Sequence, residues 1–484
     1  MHNRKRLKTQ GDRQTTPERG VDMQLSLTST LMIPAHGGDL LPLLRHAVPS
    51  VRCYRPLSNI EQANAAGMRV SVLHVDGGDG DGDGDGDGDG KSRPSELFVK
   101  LVDASYYAPS KKSWPDLRRT LLYSRTEARF YGEILPVLEG SGTALAPACY
   151  LAWSDLTNLV GEDEVASVTA SCPPSGNEGE AVAPSLLQGR GGALILASLC
   201  PDRYYQRSPT SPAQASVCLA AAARLHAAGW EDRELLLRTA DRLGPKAGSY
   251  HLDVRNPKEL ANLVATWEAF VSAFRGQDEA LFRQEGVADL GWRVFRSARR
   301  VSDALSPRPD GDYATVVHGD YKAMNVFLPT EDDNEDGDDG GRQALMIDFA
   351  STGVGLGASD VAMLLTHGVT ADDLSDGGEE GLLEGYLVAL DGELRQRDRG
   401  GGIGLGQQRR YPRDVAMRHY KLATIDYFRF VLGRFWKGAT PESFEKKKDS
   451  PNTTLVNRNI DAALAFVRRA DGYLAEFEEE WGLP

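Results

Sequence analysis

Two short segments of this 484-residue chain carry side chains of the types and spacing that phosphoryl transfer needs: HGDYKAMN at 318–325 and ALMIDF at 344–349. Moving a phosphoryl group onto a hydroxyl requires a carboxylate to orient and deprotonate that hydroxyl, and oxygen ligands to hold Mg²⁺ against nucleotide phosphates. Asp320 is the candidate base, and Asn325 and Asp348 are the candidate metal ligands. Taken singly, Asp320 reads as a turn residue and Asn325 as the start of a strand. Taken together with Lys322, a candidate contact to the transferred phosphate, they read as a site. His318 reads as structural, orienting the loop.

Such a site works only if another element brings a cation to the phosphates. ELFVKLV at 96–102 is a run of strand length, and alternation puts Lys100 on one face with Phe98 and Val102. A lysine among apolar neighbours needs a partner. Residues 115–139 carry Leu117, Leu121, Ala128, Tyr131 and Leu135 at mostly helical spacing, and Glu127 near their middle is the candidate. RVSVLHV at 69–75 is the preceding strand, and the repeat DGGDGDGDGDGDGDG lies at the hairpin tip between the two. LLPLLRHAV at 40–48 reads as a short helix, and ALAPACYLAW at 144–153 and GALILASL at 192–199 read as strands. A Gly, Ser, Glu and Pro-rich excursion separates those strands. Beyond them the periodicity turns helical, at 217–230, 256–274 and 412–438, with two short strands at 326–328 and 344–347 joined by EDDNEDGDDGG.

A chain of this length implies two lobes or domains. It holds 69 acidic and 55 basic residues, and setting aside the fourteen acids of the two low-complexity tracts leaves 55 of each sign. That balance removes the case for nucleic acid as a partner. Five cysteines without close pairing suggest neither a disulfide framework nor a zinc site. With no signal-like or membrane-spanning run, the expected setting is the cytoplasm, although the Arg-rich, hydroxyl-containing start also suits an organelle transit segment. Asp85, Asp87, Asp89, Gly90 and Glu96 match a calcium-loop pattern letter for letter, but a DG repeat produces that spacing by itself and strands flank it.

The base and metal-binding Asn stand five residues apart, as in the protein-kinase catalytic loop, with a second metal-binding Asp after the next strand. His-Gly-Asp for His-Arg-Asp and Ile-Asp-Phe for Asp-Phe-Gly shift the likeness toward aminoglycoside phosphotransferases and choline kinases. HGDYKAMN together with LHAAGW at 225–230 most resembles the CHK-kinase-like, or ecdysteroid-kinase-like, group, over roughly residues 45 to 440.

The resemblance implies an α+β, bilobal protein-kinase-like fold. Residues 1–38 would be a disordered start. Residues 39–200 would form a small β-rich, nucleotide-binding N-lobe with insertions at 76–95 and 155–190. Residues 201–484 would form a larger, mainly helical, catalytic and acceptor-binding C-lobe with an acidic insertion at 330–342. It implies ATP and Mg²⁺ as cofactors and a hydroxylated small molecule as acceptor, with no membrane or protein partner evident. Lys100 would bind the α- and β-phosphates, held by Glu127. GMRVS at 67–71, with Gly67 and Ser71, stands where a phosphate-covering loop is expected. Leu196 and Leu199 flank the nucleotide hinge, where relatives carry a Glu-Asp pair and this chain has Ala197-Ser198. Asp360 in GASDVAMLL would support the catalytic loop from below, or cap a helix. Trp230, Trp267, Tyr427 and Trp436 read as acceptor-pocket surface or as core. The function implied is a small-molecule kinase. The altered hinge and single glycine suggest the alternative, a pseudokinase or nucleotide-binding module without turnover.

Overall fold

Runs rich in β-branched and aromatic residues become strands in the computed structural model, which describes residues 34, 37–61, 65–74, 94–107, 113–164, 182–330, 342–401 and 411–483. Strands β1 Val51–Glu61, β2 Ala66–His74, β3 Glu96–Asp103, β4 Cys149–Asp155 and β5 Gly191–Ala197 form one antiparallel sheet in the order β1-β2-β3-β5-β4. In β3, Leu97 and Val99 are buried on one face, and Lys100 on the other stands between Gly67 of β2 and Leu194 of β5. β1 is an addition to the strands read from the sequence. Most of its side chains are exposed and it contains Pro56, features that an edge strand tolerates and that hide it from pattern reading. β4 begins at Cys149 rather than Ala144, because Pro147 has no N–H to give a ladder.

The helix Trp114–Arg129 packs on β4 and β5, then runs into a π-helical turn, Phe130–Ile134. Its outer face builds a small second core in which Leu117, Leu121 and Leu122 meet Leu156, Leu159, Val182 and Leu187. The stretch read as a flexible insertion, 155–190, is described at its two ends only, and residues 165–181 lie outside the described residues. Residues 155–164 and 182–190 are packed, because four apolar side chains hidden in a polar composition bury themselves. Arg118 Nε adds a 2.9 Å hydrogen bond to Glu164. The Asp-Gly repeat with its calcium-like pattern, the acidic tract 331–341 and residues 1–33 lie outside the described residues.

The remainder is mainly helical. Long helices span Pro212–Gly229, Leu263–Phe274, Leu290–Ala304, Gly357–Gly368, Gly378–Gly401, Arg413–Arg434 and Ile460–Trp481. Ser211 and Gln214 cap the first with a reciprocal pair of hydrogen bonds. The helix expected over 256–274 breaks at Asn262. Trp267 and Trp436, each 1 % exposed, stack against Phe270, so they belong to the core, as do the buried Trp230 and Tyr427. A small antiparallel sheet with one long helix, followed by a larger helical part, is the protein-kinase-like arrangement expected.

Candidate active site

Four short strands hold the HGDYKAMN loop. β7 Ala314–Val317 leads into it and β8 Val326–Pro329, flanked by the short β6 Tyr204–Tyr205, leads out. β9 Leu345–Met346 pairs with β8 and ends two residues before Asp348, while β10 Gly353–Leu356 returns to pair with β7. His318 Nε2 donates to the Ile347 carbonyl at 2.9 Å, and the Ile347 N–H donates to the Asn325 carbonyl at 3.0 Å. The two motif segments are thereby sewn together. Beneath them, the Asp360 side chain accepts from the His318 N–H at 2.7 Å and the Gly319 N–H at 2.9 Å. It lies in the first turn of its helix rather than at the N-cap, which is Leu356. His226 Nε2 stands 3.1 Å from Asp360 and His226 Nδ1 2.8 Å from the Tyr386 hydroxyl, so a buried polar chain runs under the loop. Gly319 is needed for the loop's shape: its φ is +77° and a Cβ would lie 2.1 Å from the Ser351 carbonyl oxygen.

Above this support, Asp320 is held from several sides. Lys322 Nζ is 3.1 Å from its Oδ2, Asn325 Nδ2 is 2.8 Å from its carbonyl oxygen and 3.4 Å from Oδ2, and Ser249 Oγ donates to Oδ1 at 3.1 Å. The adjacent Asp320 carboxylate, outweighing burial, holds the Lys322 ammonium above the ordinary lysine range.

Lys100 joins the sheet to this assembly. Its Nζ is 2.8 Å from Glu127 Oε2 and 2.9 Å from Asp348 Oδ1. Burial alone would weaken the ammonium, but the Asp348 and Glu127 carboxylates outweigh it and raise the Lys100 pKa. The Lys100 charge in turn depresses Asp348 to about 2, against the opposing effect of burial. Asp348 adopts a φ of +67°, a conformation that non-glycine residues enter only when the surroundings hold them there. Those surroundings include the next residue. Phe349 is fully buried, stacked on Phe130 at 4.1 Å and edge-on to Tyr131 at 5.6 Å, both from the π-helical turn that follows the Glu127 helix.

Thus Lys100, Glu127, Asp320, Lys322, Asn325, Asp348, His318 and Asp360 are connected through one set of contacts. Other candidates stand apart. Gly67 is directly opposite Lys100 in the β2–β3 ladder, but residues 67–71 are strand rather than loop, and Ser71 is paired with Glu96, four residues along β2 from Gly67. Those residues pair with β1 on one side and β3 on the other, in a ladder that runs on to Glu61 and Ala66. Leu196 is buried in β5, whereas Leu199 lies beyond the strand's end at Ala197. At that end Arg69 Nε donates to Ser198 Oγ at 3.0 Å and its Nη2 to Glu96 at 2.7 Å. Nothing in the sequence marks Ser249 or Arg69 as part of the site. His226 lies in LHAAGW, one of the two segments on which the family resemblance rests.

The arrangement offers an oriented carboxylate, two cations and hard oxygen donors. No group of three or more His, Cys, Asp or Glu side chains suited to a metal exists among the described residues. One carboxylate and one amide oxygen suit a Mg²⁺ ion whose remaining ligands come from water and a bound phosphate chain.

The model of the ecdysteroid kinase-like family matches residues 109–398. No curated protein matches the chain. Among solved structures, the choline kinase LicA from Streptococcus pneumoniae is similar at 11 % identity over 90 % of this chain and 98 % of its own, with a TM-score of 0.38. An amicoumacin kinase, hAmiN, is similar at 10 % identity over 90 % and 93 %, with a TM-score of 0.39. An aminoglycoside-3'-phosphotransferase of type VIII is similar at 16 % identity over 80 % and 98 %, with a TM-score of 0.31.

Proposed function

The chain belongs to the ecdysteroid kinase-like family, and from that membership and the geometry around Lys100 and Asp320 we propose an ATP- and Mg²⁺-dependent kinase that phosphorylates a hydroxyl of a small molecule. The observation that carries this reading is the convergence of Lys100 on Glu127 and Asp348, beside a loop in which Lys322 and Asn325 both contact Asp320. Bound MgATP would supply the phosphoryl group and the metal charge. On this reading Lys100, held by Glu127, binds the α- and β-phosphates. Asn325 and Asp348 offer oxygens to the metal, and Lys322 neutralises charge on the transferred group. Asp320 receives the proton of the acceptor hydroxyl as the new bond forms. Gly67, opposite Lys100 in the ladder, has the Phe98 ring and the Ile60 carbonyl where a Cβ would stand, and the end of β5 around Leu196 and Leu199 takes the adenine. Residues 39–200 are read as the nucleotide lobe and 201–484 as the catalytic lobe, working in the cytoplasm.

The second reading, nucleotide binding without turnover, is favoured by the hinge, where Ser198 is engaged by Arg69. ADP release from MgATP across a panel of hydroxylated metabolites separates the two. The kinase reading expects at least one acceptor to accelerate release, and Asp320→Ala to abolish the acceleration while MgATP binding persists. MgATP binding with no turnover on any acceptor overturns it.

A further inference from the structure

We propose that Ser249 is a positioning residue for Asp320, its hydroxyl fixing which carboxylate oxygen faces the incoming acceptor; the proposal rests on the reading of Asp320 as the base. The two oxygens of Asp320 have different company. Oδ2 faces the Lys322 ammonium at 3.1 Å and the Asn325 amide at 3.4 Å, whereas Oδ1 accepts from the Ser249 hydroxyl at 3.1 Å. An oxygen shared with a cation is a poor proton acceptor. One that accepts from a single neutral hydroxyl still has a lone pair to offer, and the hydroxyl can rotate to accommodate a second donor. The Ser249 contact therefore distinguishes Oδ1 as the reactive oxygen and opposes rotation of the carboxylate that would exchange the two.

The Ser249 hydroxyl is presented by a backbone strap clamped to the loop it serves. Three successive N–H groups anchor it: Ala247 to the Val354 carbonyl at 3.2 Å, Gly248 to Ser351 at 3.0 Å and Ser249 to Gly319 at 2.8 Å. The Ser249 carbonyl accepts from Arg255 at 3.3 Å, and Arg255 is itself gripped by Glu259 at 2.7 and 2.9 Å. The fit is close enough that a Cβ on Gly319 would lie 2.8 Å from the Gly248 nitrogen. A serine on so constrained a strap has little freedom to wander from Asp320. Ser249 is also half-buried rather than sealed in, as a group beside a substrate must be.

The test is ADP release from MgATP alone, with water as acceptor, in the full-length wild type, Ser249→Ala and Ser249→Thr. A hydrogen bond to a charged group is worth enough to predict a fall in kcat of about tenfold for Ser249→Ala, with KM for ATP within about twofold of wild type. Ser249→Thr, which keeps the hydroxyl, restores most of the rate. An unchanged or increased kcat in Ser249→Ala overturns the proposal alone, as does an equal loss in both variants accompanied by a lowered Tm. A wild type that binds MgATP but releases no ADP with water or with any acceptor of the panel overturns this proposal and the kinase reading together.

Discussion

Lys100 Nζ donates to Asp348 Oδ1 at 2.9 Å, joining residues 248 positions apart in the chain. With Glu127 at 2.8 Å on its other side, one ammonium stands between two carboxylates, and the trio carries a net negative charge. On the proposed reading, a divalent cation held by Asp348 would relieve that excess and leave Lys100 to meet a nucleotide phosphate.

Lys100→Met should be costly for the fold as well as for binding. Glu127 is 4 % exposed and would lose its counter-ion, a change worth about 3–5 kcal/mol for a buried pair. The expected outcome is a clear fall in Tm and loss of MgATP binding by calorimetry. The double variant with Glu127→Gln should melt above Lys100→Met alone, because it removes the stranded charge, and strictly additive losses would contradict the pairing.

The pH dependence follows from Asp348, lowered by Lys100 from an ordinary 3.8 to about 2. A depressed carboxyl contributes stability that is present above its unfolded value and is lost as pH falls through its folded value. Its side chain is 37 % exposed, so solvent screening limits the contribution to about 1 kcal/mol. Without nucleotide or metal, Asp348→Asn should unfold more easily than wild type in urea at pH 7, and the difference should shrink between about pH 4 and pH 2.

Asp360→Asn replaces one of two accepting oxygens by an amide NH₂ that must face the His318 or Gly319 N–H. An opposed buried donor costs about 1–3 kcal/mol. Faster amide hydrogen exchange at 318–320 and a loss of turnover of about tenfold or more are expected, with helix content by circular dichroism retained.

Gly319→Ala is predicted to be more damaging than its single methyl suggests. The added carbon lies 2.1 Å from a backbone oxygen at a φ of +77°, so neither a rotamer change nor a small shift relieves it. Destabilisation above about 2 kcal/mol by chemical denaturation is expected, together with inactivity.

The parts of this site that can be read from the chain are those whose chemistry is local. Asp320, Lys322 and Asn325 share one short segment, and Asp348 follows the next strand. Lys100 announces itself as a charge on an apolar strand face, and Glu127 is marked only by its place near the middle of the following helix, among other acids. Ser249 could not be found that way, since KAGSY at 246–250 has no periodicity and its partner Asp320 lies 71 residues on. The same limit explains 67–71: strand or loop is decided by where β1 pairs, and β1 is an exposed edge whose pattern is silent. Leu156, Leu159, Val182 and Leu187 were obscured because their polar neighbours outnumber them, while burial depends on the Glu127 helix beside them.

The β2–β3 hairpin is closed before its acidic repeat begins. The Val72 N–H reaches the Ser95 carbonyl at 2.9 Å, and His74 Nε2 lies 2.7 Å from the Pro94 carbonyl, so the chain departs and re-enters at neighbouring points. For a flexible connection between two fixed anchors, each doubling of length costs only about 0.6 kcal/mol of closure entropy. With the strands clasped at Val72 and Ser95, the number of dipeptide copies is free to differ without moving Lys100.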